Sequence, residues 1–455
     1  MIVETIESKG LAHFSYMIIS NASAVVIDPR RDITIYEEIC KRHSCDITHV
    51  FETHRNEDYI IGSVELQEHF KNVQVYHGGE HDYAHGSIIK DGEEISFGEA
   101  KIRAIHTPGH TKGHISYLVH GPGDPEVPLM AFTGDLLFAG DTGRTDFYPG
   151  EKEEMAGKLY DSIHQKLFPA GDGILLFPAH GSGSVCGSNI AERKPTTLGN
   201  EKRLNPQLSL SRKEFIQHKI NQTHEIPPYF KHMEACNVRG TRSLDDVKFP
   251  AALDAGRFKS AMEHGATVLD TRYPSAACGS HVPGSIIIWC DGIPSFAGWF
   301  LEPDQEILLV VDHQVYLHEA LSYLHRIGYD NITGYLAGGF QSWYTSAFPV
   351  DFIDLITVQE LHEALSSESK PFVLDVRRED EWENGHIDGA THVPVGIIEQ
   401  HVEKLPSDEI IAIHCSIGYR ATIAASILKK LGFTRLQVVL GSYKGWLAAG
   451  YPVTT

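Results

Sequence analysis

The second half of the chain is written twice. LDTRYPSAACGSHVPGSI, starting at Leu269, matches LDVRREDEWENGHIDGATHV, starting at Leu374, at an offset of 105. LHRIGY from Leu324 matches LKKLGF from Leu428 at 104, and GGFQSWYTSAFPV from Gly338 matches GSYKGWLAAGYPV from Gly441 at 103. An offset this steady means two copies of one folding unit, each about a hundred residues long. Within a copy, short apolar runs such as FVLDV, IIAIHC and LQVVL alternate with helical patterns such as ATIAASILKKL. Buried strands alternating with helices predict an α/β unit whose parallel sheet is covered on both faces. The expected boundaries are 246–352 for the first copy and 353–455 for the second.

The remaining 245 residues read differently. AVVIDP, HVFETH, KIRAIHTPGH, ISYLVH, LMAFTGDLLF and GILLFPAHG are strand-like runs that mostly end in His, Asp or Gly. Ligands and catalytic groups commonly sit where strands feed into loops. Residues 190–250, rich in Asn, Lys, Arg and Pro, read as a helical and loop segment that closes this first domain. The chain as a whole, 42% hydrophobic and 22% charged, can give each piece a normal core. Its net charge of −21 argues against nucleic acid or an acidic membrane surface as partner. No apolar run is long enough to span a bilayer, and MIVETIESKG lacks a leader's apolar core, so a soluble, cytoplasmic protein is expected. Seven cysteines (Cys40, Cys45, Cys186, Cys236, Cys278, Cys290 and Cys415) show no CxxC spacing, which fits reduced thiols rather than a disulfide framework.

Four strand-end segments follow one another in order: ETHRNED, TPGHTKGH, TGDLLF and PAHGSG. As an ordered set they resemble the metallo-β-lactamase superfamily, which implies an αββα sandwich with metal held between its sheets over roughly residues 1–240. The dinuclear members carry a His-x-His-x-Asp-His loop. Here His54 and Asp58 are in place, but Asn56 and Tyr59 stand where the second and third histidines belong. Each ion of a zinc pair would lose a nitrogen ligand. What survives is His54, His110 and Asp135, the two imidazoles and one carboxylate that hold non-haem Fe(II) while leaving positions open. The same ligand choice marks the persulfide dioxygenases of this superfamily, and GDTGRTDF resembles their GRTDF element.

That resemblance implies one Fe(II) per chain, rather than zinc, on His54, His110 and Asp135. It also implies that Arg144 steers substrate or braces the site, with Asp146 orienting it. Asp58 and His180 are read as groups that orient ligands and water, and Tyr59 as a packed or hydrogen-bonding residue. Two alternatives stay open: a metal-free scaffold, and a second ion on Asp58, His180 and Asp135. Cys186, on the glycine-rich loop after His180, is a candidate for receiving sulfur or an inert small residue. His106 and His114 receive no role.

HCSIGYRAT in the last repeat places Cys415 after a strand and before a helix, with Cys-x-x-Gly-x-Arg spacing. Backbone N–H groups of such a loop, together with the helix N-terminus, favour the thiolate and an anionic persulfide on it. The segment resembles the rhodanese (sulfurtransferase) loop, formed here by Cys415, Ser416, Ile417, Gly418, Tyr419 and Arg420. Arg420 is then the cation for sulfite or thiosulfate, and Asp375 and Arg377 are framework. In the first repeat LLVVDHQVYLHEA puts Val311 opposite Cys415, or Asp312 with a one-residue shift, so this copy is read as catalytically silent.

The whole chain resembles bacterial persulfide dioxygenase–sulfurtransferase fusions of sulfide detoxification. The resemblance implies oxidation of a thiol persulfide (glutathione, coenzyme A or a similar thiol) by O2 to sulfite. Transfer of sulfane sulfur through Cys415 to sulfite would then give thiosulfate. A glyoxalase II-like thioester hydrolase fused to a rhodanese and a sulfur carrier with a scaffold domain are the competing readings. Multidomain chains of this kind often self-associate, and a homo-oligomer is among the expected partners.

Overall fold

Four sheets organise the computed structural model, which describes residues 1–455 apart from 125, 188, 193 and 194. The chain divides into two compact units, Met1–Val247 with His325–Gly328, and Lys248–Leu324 with Tyr329–Thr455.

In the first unit one sheet runs β1 (Ile2–Ser8), β2 (His13–Ser20), β3 (Ser23–Ile27), β4 (Asp46–Phe51), β5 (Gln74–His77) and β6 (Ser87–Ile88), in chain order. β1 to β3 pair antiparallel and β3 to β6 parallel. The other sheet holds β7 (Glu94–Phe97), β8 (Ala100–His106), β9 (Ile115–His120), β10 (Pro128–Gly134), β11 (Leu175–Pro178) and β12 (Thr196–Thr197), again in order. Only β10 and β11 pair parallel here.

Strand alternation explains why the sheets stack. Phe14, Tyr16 and Ile18 of β2 and Val25 and Ile27 of β3 face Ile102 and Ala104 of β8, Tyr117 and Val119 of β9 and Met130 and Phe132 of β10 in one buried cluster. The residues between them face outwards. Met17, Ile19, Ala24 and Val26 pack under the helix Thr34–His43 through Tyr36, Ile39 and Cys40. Leu118 and Ala131 pack under the helix Lys152–Asp161 and its continuation through Leu159, Ile163 and Leu167. Each sheet is therefore apolar on both faces, and the sandwich is αββα as expected. The segment after β12 is helical, including Arg212–Asn221 and Phe230–Arg239.

The second unit contains one topology twice. β13 (Ala251–Leu253), β14 (Thr267–Asp270), β15 (Ile286–Ile287), β16 (Ile307–Val310) and β17 (Ile332–Leu336) lie in the order β13-β17-β16-β14-β15. β18 (Asp354–Thr357), β19 (Phe372–Asp375), β20 (Thr391–His392), β21 (Ile411–His414) and β22 (Leu436–Leu440) lie in the order β18-β22-β21-β19-β20. All pairs in both sheets are parallel. Both sheets are covered by helices, the reason their central strands read as continuous apolar runs.

Candidate functional site

Four strand ends of the first unit meet at one buried point. His54 follows β4, His110 sits between β8 and β9, Asp135 follows β10 and His180 follows β11. All four side chains are buried. The approach of the strand ends is close enough to require glycine at two positions. Gly134 has φ +50, and a Cβ there would lie 2.6 Å from both His114 Nε2 and Thr53 Oγ1. A Cβ on Gly143 would lie 1.9 Å from the Asp135 carbonyl oxygen and 3.1 Å from His110 Nδ1. The GRTDF segment can lie against the site only because residue 143 has no side chain.

The hydrogen bonds decide which nitrogen each imidazole presents. His110 Nδ1 donates to the Arg144 carbonyl at 3.0 Å, which leaves Nε2 with its lone pair. Thr53 donates its hydroxyl to Asp28 Oδ2 at 2.7 Å and so accepts from His54 Nδ1 at 2.8 Å. His54 Nε2 is thereby also the free nitrogen. Such outer bonds fix tautomer and ring angle in metal sites. Burial lowers both histidines below their ordinary pKa, so both are neutral. His54 Nε2 lies 3.7 Å and His110 Nε2 3.5 Å from Asp135 Oδ2. Among the described residues His110 Nε2 and Asp135 Oδ2 have no hydrogen-bond partner, although both are buried.

Two donors about 2.1 Å from one ion, separated by roughly 90–150°, stand about 3.0–4.1 Å apart. The His54–Asp135 and His110–Asp135 spacings lie in that range, and the orphaned lone pairs converge. The residues present fit a single metal ion with two imidazoles and one carboxylate.

Asp135 Oδ1 is engaged elsewhere. It accepts from His180 Nδ1 at 2.7 Å, while His180 Nε2 donates to Asp58 Oδ2 at 3.1 Å. Burial works against a charge on His180, but the carboxylates of Asp135 and Asp58 outweigh it and hold the ring protonated. Burial also raises Asp135, yet the histidines around it, His180 foremost, keep it well below the usual carboxylate range. His180, with both nitrogens in carboxylate hydrogen bonds, is arranged to orient Asp135. His114 accepts the Asp135 backbone N–H at Nε2, 3.2 Å away, and contacts Thr107 Oγ1 through Nδ1 at 2.9 Å. It braces the strand end from below, a place its sequence neighbourhood did not reveal.

The two altered loop positions are packed rather than open. Asn56 Nδ2 donates to the His54 carbonyl at 3.3 Å. Tyr59 stacks on His13 with centroids 4.0 Å apart, and burial pushes its phenol well above the ordinary value. The loop is pinned from behind by Asn237 on the helix Phe230–Arg239. Its Nδ2 donates to the carbonyls of Asn56 and Tyr59, both at 2.8 Å, and its Oδ1 accepts from Ile61 N–H at 2.9 Å.

Arg144 is fully buried, with Nε 2.7 Å from Asp146 Oδ1 and Nη2 3.0 Å from Asp146 Oδ2. Its Nη1 donates to the carbonyls of Val185 and Glu225. The guanidinium is spent on protein acceptors, which points to bracing rather than to substrate steering. Cys186 is buried beside Phe138 and Ile190, and its sulfur lies within 4.8 Å of donor atoms of Asp58 and His180 and of His110 and Asp135. Burial pushes its thiol well up.

In the last repeat Cys415 follows β21, buried, and Gly418 N–H donates to its sulfur at 3.1 Å. Gly418, at φ +110, turns the chain into the helix Tyr419–Lys430. Arg420 is paired with a carboxylate of its own repeat. Nη1 donates to Glu381 Oε2 at 2.6 Å and Nη2 to Glu381 Oε1 at 2.8 Å, and Ser416 donates its hydroxyl to the same carboxylate at 2.6 Å. Glu381 was not singled out because it lies 34 residues before Cys415, in the run REDEWE, where an acidic helix start is the ordinary reading. Tyr419, at the loop mouth, shares a 2.6 Å hydrogen bond with Tyr273 and packs 4.8 Å from Trp289, both from the first repeat. Ile417 is exposed. In the first repeat Val311 stands at the end of β16, where Cys415 stands after β21, and Asp312 and His313 are exposed.

Comparison with known proteins agrees with this anatomy. The family described as metallo-beta-lactamase superfamily matches residues 9–180, and the rhodanese-like domain matches residues 254–346 and 357–449. The chain is 32% identical to the persulfide dioxygenase ETHE1, mitochondrial, of Bos taurus, over 43% of this chain and 70% of that protein. It is 29% identical to the hydroxyacylglutathione hydrolase GloC of Haemophilus influenzae, over 41% of this chain and 88% of that one. Among solved structures, a metallo-beta-lactamase from Staphylococcus aureus subsp. aureus COL is 30% identical with a TM-score of 0.65, covering 74% of this chain and 99% of the other. No helix among the described residues is long and apolar enough to cross a membrane.

Proposed function

The chain belongs to the metallo-beta-lactamase superfamily, with persulfide dioxygenases among its homologues, and carries two rhodanese-like domains behind that fold; from this premise we propose that it is a two-site enzyme of sulfur metabolism. The first site oxidises a low-molecular-weight thiol persulfide, RSSH + O2 + H2O → RSH + sulfite + 2 H⁺. The second moves sulfane sulfur from a persulfide on Cys415 to sulfite, releasing thiosulfate and the Cys415 thiolate.

The observation that carries the first half is the convergence of His54 Nε2, His110 Nε2 and Asp135 Oδ2 on one point, their other atoms already committed. A bound Fe(II) would supply redox chemistry and positions for two exogenous ligands. His54 and His110 would hold it as neutral donors, Asp135 would supply negative charge, and Asp58 through His180 would keep Asp135 from rotating. The buried surroundings keep water from competing for the site. For the second half, the Gly418 N–H at 3.1 Å from the sulfur is placed to stabilise an anion on Cys415.

The test is oxygen uptake by Fe(II)-loaded protein on adding glutathione persulfide or coenzyme A persulfide, with sulfite and thiosulfate assayed together. Uptake that His110→Ala removes is the expected outcome; iron bound one per chain with no uptake from either persulfide would sink the oxidase. The GloC likeness supports a second reading, thioester hydrolysis. That activity would appear as cleavage of a glutathione thioester on zinc without oxygen use, and it is disfavoured by Asn56 and Tyr59 in the loop.

A further inference from the structure

Glu57 lies between Asn56 and Asp58 and has no part in the site as described so far. Its side chain is fully buried. One oxygen, Oε1, accepts from Arg55 Nη2 at 3.3 Å. The other, Oε2, has no hydrogen-bond partner among the described residues and lies 4.0 Å from His110 Nε2. With His54 and His110 it forms a set of donor atoms all within 4.8 Å of one another. Its 4.0 Å spacing lies inside the range of about 3.0–4.1 Å expected for two donors on one ion.

A structural role as the partner of Arg55 accounts for Oε1 only. Arg55 is also served by Glu234 at 3.2 Å and by His81 Nε2 at 2.7 Å, so it does not need the second oxygen. A buried carboxyl oxygen without a donor, 4.0 Å from an imidazole nitrogen that is itself unpartnered, is an arrangement that a cation between the two would satisfy.

We propose that Glu57 is a fourth protein donor to the same ion, so that the centre is a two-histidine, two-carboxylate site instead of an open triad. This rests on the one-metal reading above and deepens it. The added carboxylate occupies a position that the triad leaves to exogenous ligands. It also shifts the preference towards oxygen-loving divalent ions such as Mn²⁺ and Fe²⁺ and away from softer ones. The extra negative charge offsets the ion's pull on an anionic persulfide, so this chain should bind such a substrate more weakly than one lacking Glu57.

The experiment loads metal-free full-length protein, Glu57→Gln and Glu57→Ala with Co(II) and, separately, titrates each with Mn(II) followed by electron paramagnetic resonance. Loss of the fourth donor is expected to weaken Mn(II) binding about tenfold or more and to intensify the visible Co(II) bands as the coordination number falls. Glu57→Gln keeps the side-chain volume and answers the question if alanine disturbs the loop. Unchanged Co(II) spectra and Mn(II) affinity in both variants, with one ion still bound, would overturn the role of Glu57 and leave the site standing. Wild-type protein that takes up neither metal would bring down both.

Discussion

The two rhodanese-like repeats are built from the same bonds up to the point where chemistry begins. Arg272 donates Nε and Nη2 to Asp270 and Nη2 again to the Ser280 carbonyl; Arg377 does the same with Asp375 and the Gly385 carbonyl. Trp343 donates to the Pro349 carbonyl at 2.7 Å, and Trp446 to that of Pro452 at 2.8 Å. His281 pairs with Asp351 through the backbone as His386 pairs with Thr454. At the strand ends the likeness stops. β21 leads through Cys415 and Gly418 into a helix that starts at Tyr419, while β16 leads through Val311 into one that starts at Gln314. The first loop is a residue shorter and lacks the thiol, the glycine and the arginine. The framework preserves a fold, and the two copies part in the short loop after the strand, where a site can be grafted. The first copy still reaches the loop of the second, because Tyr273 and Trp289 both contact Tyr419.

This comparison can be broken most sharply at the sulfur. Cys415→Ser should lower sulfur transfer to sulfite by about 10³-fold or more, since the persulfide has no other carrier there, while oxygen uptake is unaffected. Loss of both activities would mean the sites are not separate. The framework comes next. Asp270→Ala and Asp375→Ala each strand a buried arginine and should each cost about 3–5 kcal/mol in urea unfolding. A large cost in one repeat and none in the other would show that the shared bonds do not carry equal weight.

The smallest effect concerns Glu381. Burial raises its carboxyl, but the hydrogen bonds and charge of Arg420 and the Ser416 hydroxyl outweigh that and hold it down at about 2. Its folded pKa lies below the ordinary 4.5, so the stabilisation is complete above that value and fades as the pH falls through about 2. Glu381→Gln should therefore be less stable than wild type by about 1 kcal/mol near neutral pH, with the gap closing in acid. A gap that does not change with pH would remove the ion pair from the explanation.

The duplicated α/β topology was legible because a repeat in sequence is a repeat in contacts. His54, His110, Asp135 and His180 were legible because strand ends with short glycine-bearing loops leave few places for their side chains to go. Other members of the site were not. His13 stacks on Tyr59 from a strand that reads only as apolar, and Asn237 reaches the loop from 178 residues beyond Tyr59. Asp28, held at φ +48, takes the Thr53 backbone N–H at 2.8 Å and its hydroxyl, and so sets His54. Its role was hidden inside AVVIDP, where an aspartate at a strand end looks like an ordinary turn residue.

Glu57 and Glu381 teach the same lesson from opposite sides. Both are acidic residues in polar stretches, where sequence reading expects solvent. Only the tertiary structure put one among imidazoles and the other against Arg420. The sequence by itself determined which elements form and which residues stand at their ends, because hydrophobic periodicity and glycine punctuation are local properties. Which lone pair is free, which cation is already paired and which buried oxygen lacks a donor were decided by packing. Those depend on distances between segments far apart in the chain, and local pattern carries no information about them.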